Sequence, residues 1–132
     1  MVTEIKGIEM TEDELAKMMR DHFEGLFPKV CENCGQRFET LREYILKTRR
    51  LGDSISYDAE SGNWKPSSPL GGVAMANCLC GSTLALTTEG MPLSQVHMVL
   101  DWIKDESERR GLSSSQLLNH IRDKVRKQVV GD

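Results

Sequence analysis

The sequence predicts an α+β domain of about four helices and a small antiparallel sheet, organised around a site made by four cysteines. Three observations carry this. Apolar residues recur with a period near 3.6 in four stretches that begin and end with capping residues. Two short β-prone runs, Val73–Ala76 and Thr83–Thr87, flank the tight segment N-C-L-C-G. The cysteines fall into two pairs, Cys31 with Cys34 and Cys78 with Cys80, each followed directly by glycine.

The first helix starts at Thr11, where T-E-D-E is a capping box closed by Glu14. Leu15, Met18, Met19, Phe23 and Leu26 form its apolar stripe, and Gly25 and Pro28 end it. A second helix is predicted from Thr40, with T-L-R-E as its box, Leu41, Tyr44 and Ile45 as its stripe, Leu51 near its end and Gly52 as its stop. Residues 53–72 are rich in Ser, Gly, Asp and Pro; Ile55 and Tyr57 alternate with polar residues, which fits a small hairpin turning at Glu60–Asn63 or a long loop. The third helix is predicted from Pro92, a favoured first helical position, to Gly111, with Leu93, Val96, Leu100 and Ile103 inward and Glu106–Arg110 paired at i, i+4. The fourth begins at Ser113, whose S-S-S-Q is another capping box, and Leu117, Leu118, Ile121, Val125 and Val129 line its inner face. The whole chain, 1–132, then reads as one domain: an N-terminal helix over 1–28, a cysteine-bearing core over 29–90 and a C-terminal helical hairpin over 91–132.

Composition narrows the function classes. The chain has 132 residues, 39% of them hydrophobic and 28% charged, which excludes wholesale disorder. Aromatics are only 5%, so the core leans on aliphatic residues and on seven methionines. The net charge of −3 argues against coating nucleic acid or anionic membrane by bulk charge. The acidic excess sits in residues 1–30, seven acids against four bases, while Arg122, Lys124, Arg126 and Lys127 gather late on the last helix. There cations suit the helix dipole, and such a cluster also fits phosphates or an acidic partner. No apolar run approaches the roughly 20 residues that span a bilayer, so no membrane association is expected. Met1–Met10 carries Glu4, Lys6 and Glu9 and no apolar leader, so the expected address is cytoplasmic.

The cysteines carry the chemistry. A tetrahedral zinc takes four thiolates at about 2.3 Å. Cys31 and Cys34, two residues apart, curl around one ion if the chain turns tightly; Cys78 and Cys80 make a shorter bite, and 43 residues lie between the pairs. Gly35 and Gly81 can take positive φ and let backbone N–H groups point back at sulfur. Those donors, with Lys29 and Arg37 nearby, would offset the thiolate charge. Four thiolates leave no position open for water, so the site reads as structural rather than catalytic. The same four ligands also suit an iron–sulfur cluster. A redox pair at Cys31–Cys34 and structural disulfides are the remaining readings of these residues. Haem attachment is excluded, because Gly35 stands where C-x-x-C-H needs histidine.

C-E-N-C-G-Q-R-F, residues 31–38, resembles a knuckle of the zinc-ribbon and treble-clef families, and N-C-L-C-G with S-T-L-A-L resembles the second knuckle and its strand. The resemblance implies one structural zinc (Zn2+) held by Cys31, Cys34, Cys78 and Cys80, and an α+β fold organised around a four-cysteine zinc site. The C-terminal part, through Gly111-Leu112-Ser113 with Ser115, Leu117, Leu118 and Ile121, resembles ribbon-helix-helix repressors. That likeness implies a strand presenting Thr83, Ala85 and Thr87 to a DNA groove. The strand offers no Arg, Lys, Asn or Gln to read bases, so nucleic acid is not the favoured partner.

His22, His97 and His120 each fall on a predicted helix, where packing or boundary roles are expected. Glu32 inside the first pair reads as a solvated turn residue. No phosphate loop, nucleophile elbow, H-E-x-x-H or dinucleotide fingerprint is present. No enzyme is therefore expected. The sequence reads as a zinc-binding regulatory or protein-interaction module whose partner is another protein or a second copy, with a DNA-binding regulator and an iron–sulfur redox or gas sensor as the alternatives.

Overall fold

Helix α1 (Glu12–Glu24) begins at the predicted box: Thr11 Oγ1 accepts from the Glu14 amide at 3.1 Å, and the Thr11 amide donates to Glu14 Oε1 at 2.9 Å. The computed structural model describes residues 10–131. The reading of Met1–Met10 as free of a leader therefore falls almost wholly outside the described residues. Leu15, Ala16 and Met19 bury one face of α1.

Two residues of β1 (Lys29–Val30) and two of β2 (Arg37–Phe38) pair antiparallel and carry the first cysteine turn between them. Phe38 is fully buried and stacks edge-on against Tyr44 at 5.4 Å. That contact ties the hairpin to α2 (Leu41–Lys47), which Thr40 caps through the Glu43 amide at 3.1 Å. The box is not reciprocal, because Glu43 reaches the Glu39 amide at 2.6 Å.

Helix α2 stops a turn before the sequence reading placed its end. Thr48 leaves the helical region, and its hydroxyl donates to the Tyr44 carbonyl at 2.7 Å. Arg49–Ser56 is strand β3, with Leu51 opposite Met75 of β4. Pairing with the sheet outweighs the weak helical preference of this stretch. Gly52, at φ 66°, sits where the register slips between Leu51 and Ile55; it marks an irregularity in a strand rather than a helix stop.

No hairpin forms inside residues 53–72. Strand β3 runs into a single turn, α3 (Tyr57–Glu60), which Ser56 caps, and an irregular loop follows. The buried Asp58 carboxylate holds that loop, accepting from the Leu70 and Gly71 amides, both at 2.9 Å. Strands β4 (Gly72–Asn77) and β5 (Thr83–Thr87) form with β3 an antiparallel sheet of order β3-β4-β5. The second cysteine turn is the link between β4 and β5.

Helix α4 (Leu93–Arg110) places Pro92 at its cap rather than its first turn, and ends at Gly111 in the left-handed conformation, φ 68°. Helix α5 (Ser114–Val130) opens on the predicted Ser113–Gln116 box. Leu117, Leu118, Ile121 and Val125 of α5 share one core with Leu100 and Ile103 of α4, Ala76 of β4, and Leu84 and Leu86 of β5. The α+β architecture therefore holds, with five helices, of which α3 is a single turn, and two small sheets among the described residues. Glu12 links the first helix to the last two, accepting from Arg110 at 2.6 Å and contacting His120 at 3.1 Å.

Candidate metal centre

The two cysteine turns are built alike. In the first, the Cys31 amide donates to the Gln36 carbonyl at 2.8 Å and the Gly35 amide to the Cys31 carbonyl at 2.7 Å. In the second, the Cys78 amide donates to the Ser82 carbonyl and the Gly81 amide to the Cys78 carbonyl, both at 2.8 Å. The second turn closes one residue earlier, and C-x-C accordingly replaces C-x-x-C. Gly35 at φ 81° and Gly81 at φ 95° occupy the left-handed region that their missing Cβ allows.

These turns bring four sulfurs together from sites 43 residues apart in sequence. All four Sγ atoms lie within 4.8 Å of one another. Across the turns, Cys31 and Cys80 approach to 3.7 Å, as do Cys34 and Cys78. Four ligands at 2.3 Å from one ion sit about 3.8 Å apart along a tetrahedral edge. A disulfide needs about 2.05 Å, and all four cysteines are free. Cys31 and Cys78 are buried; Cys34 and Cys80 face solvent.

Local donors favour thiolate at two sulfurs. The Cys34 amide, followed by the Asn33 amide, pulls the Cys31 thiol below its ordinary value. Hydrogen bonds from Asn33 Nδ2, the Ser82 hydroxyl and the Ser82 amide bring Cys80 down to about 5. The Asn33 amide nitrogen stands 3.5 Å from Cys80 Sγ. Cys34 goes the other way: the Gln36 amide lowers it, but desolvation and the thiols of Cys78, Cys80 and Cys31 raise it to about 11. Four sulfurs this close cannot all ionise without a cation between them. A divalent ion would remove that conflict and hold all four as thiolates.

Asn33 and Ser82 are the residues that reasoning from sequence missed. Asn33 lies between two cysteines and Ser82 two residues after Cys80, which was the available signal. Arg37, expected to offset thiolate charge, is paired with Glu39 instead. Glu32 is exposed, as a turn residue should be. The histidines are engaged elsewhere: His22 with the Thr87 carbonyl at 3.0 Å, His97 with the Pro66 carbonyl at 2.8 Å, and His120 with Glu12. Among the described residues, the four cysteines are the one group placed to hold a metal ion. No helix there is long and apolar enough to cross a membrane.

No protein-family model, curated protein or solved structure matches this chain. The zinc-ribbon likeness therefore stands on the cysteine turns alone.

Proposed function

We propose that the protein is a non-enzymatic regulatory or protein-interaction module whose two cysteine turns are locked by one structural zinc ion. The observation that carries the metal reading is the spacing of the sulfurs. The two cross-turn pairs at 3.7 Å match the edge of a single-ion tetrahedron, and all four sulfurs lie within 4.8 Å of one another. An iron–sulfur cluster places several atoms between its thiolates, so sulfurs this close support a single ion over a cluster. Four protein sulfurs also fill the coordination shell, which supports a structural role and leaves no site for an activated water.

The regulatory role rests on the closed site and on the absence of a catalytic motif from the sequence. The ribbon-helix-helix alternative gains less support. Strand β5 already hydrogen-bonds β4 along one edge, and Leu84 and Leu86 face the core. Two of the four late basic residues are engaged within the chain: Arg122 Nη2 donates to the Met75 carbonyl at 2.8 Å, and Lys124 pairs with Asp13 at 3.0 Å.

Elemental analysis of protein purified without oxygen tests the proposal. One zinc per chain, no iron and no visible absorbance is the expected result. Two or more irons per chain with a brown colour would move the same cysteines to the redox-sensor reading. A duplex-DNA titration with a steep salt slope would move the function to transcriptional control.

A further inference from the structure

A cavity of about 170 Å³ runs between the sheet and the helices, and none of the four cysteines lines it. Most of its wall is apolar, drawn from β4, α4 and α5, with Val73, Val99 and Ile121 among the residues that line it. An engineered apolar cavity of about 150 Å³ takes up benzene, so this volume suits a molecule of that order. Its polar lining is what separates it from a packing void.

Tyr44 and Arg122 both line the cavity. Tyr44 is 3% exposed, and its hydroxyl has no hydrogen-bond partner among the described residues. Arg122 Nη1 is equally buried and equally without a partner. Its other terminal nitrogen is held by the Met75 carbonyl at 2.8 Å, which fixes the guanidinium plane. Buried donors almost always find acceptors, and two orphans on one cavity wall need an explanation.

Of the other charged residues along the wall, Arg126 is exposed to solvent, and the rest are matched. Arg50 pairs with Asp123 at 2.6 Å, and the Asp58 carboxylate accepts two backbone amides. Arg122, half-buried with its Nη1 atom out of contact with solvent, is left without a carboxylate. We propose that the cavity binds a small amphipathic carboxylate, its apolar body among the aliphatic side chains and its two oxygens on Tyr44 Oη and Arg122 Nη1. An aryl carboxylate or an unbranched acid of about six carbons fills the volume. A charged guanidinium bonded to a carboxylate away from water is stronger than the same contact at a surface. The protein would then report a metabolite of this class through the core shared by β4 and α5.

The test uses the full chain as purified. Benzoate and hexanoate are titrated by calorimetry against benzyl alcohol and hexanol, in wild type, Tyr44→Phe and Arg122→Gln. The acids should bind at least about tenfold more tightly than the matching alcohols. Tyr44→Phe should weaken the acids by about tenfold while leaving the unliganded melting temperature unchanged or raised, since the hydroxyl has no partner to lose. Arg122→Gln should abolish the preference for acid over alcohol. No binding of either acid up to about 10 mM overturns the proposal. So does equal binding of acid and alcohol, or a Tyr44→Phe variant that binds as wild type. A Tyr44→Phe variant that fails to fold also overturns it, because the hydroxyl would then have a structural partner.

Discussion

Removing the metal should lower the melting temperature by well over ten degrees, and the structure supplies the magnitude. An ion shared by Cys34 and Cys78 closes a loop of roughly 45 residues. The chain-entropy relation for a cross-link of that span gives about 4 kcal/mol of destabilisation of the unfolded state at 25 °C. For a domain of this size each kcal/mol shifts the midpoint by about 3–5 °C, so the cross-link alone is worth about 12–20 °C. Metal-bound thiolates add to this, and apo thiols crowded within 4.8 Å gain nothing from their neighbours. The assay is thermal unfolding of protein as purified, after chelation with metal loss confirmed by elemental analysis, and of Cys78→Ser. Leu79→Ala is the control. Leu79 lies between two cysteines, yet its side chain is 85% exposed, so its loss should leave the midpoint in place. A fully demetallated protein that melts within about 2 °C of the starting material would refute the reasoning, because the cross-link term alone exceeds that shift.

Three further outcomes follow from the same geometry. Asn33→Ala removes the donor to Cys80 Sγ and should weaken zinc affinity by about tenfold or more, measured by competition with a chromophoric chelator. Gly81→Ala meets no atoms within 4 Å but forces a side chain onto φ 95°, so it should cost about 1–2 kcal/mol, read from the urea midpoint. Glu12 gives a pH signature. Desolvation raises its carboxyl, but hydrogen bonds from Arg110 and His120 and their charges outweigh that and hold it below the ordinary carboxylate range. A depressed carboxyl stabilises the fold above its unfolded value, and the benefit disappears as pH falls through the folded value. Wild type should therefore lose stability below about pH 5 by about 1 kcal/mol more than Glu12→Gln, whose melting curve shows the difference.

What could be read from the sequence was local or had a fixed stoichiometry. Thr11–Glu14 and Ser113–Gln116 are complete capping boxes within four residues, and Gly111 ends α4 because its own backbone must turn left-handed. Convergence of the four cysteines was legible because each turn carries its own glycine and two thiolates cannot fill a tetrahedron. Contacts set by tertiary structure were not legible. Leu51 lies in helical register with Leu41, Tyr44 and Ile45, yet strand β4 claims it. Arg49 to Ser54 show no apolar alternation, because most of that strand is exposed. Asp58 looked like one more polar loop residue until the fold set two distant amides against it. The same holds for Tyr44 and Arg122, 78 residues apart, whose shared cavity exists only in the folded chain.

Zinc-edge X-ray absorption of the protein as purified addresses the central claim most directly. The account predicts a single shell of four sulfurs at about 2.3 Å and no nitrogen or oxygen neighbours. A shell containing nitrogen or oxygen, or an iron edge with a neighbouring iron in place of zinc, would contradict it.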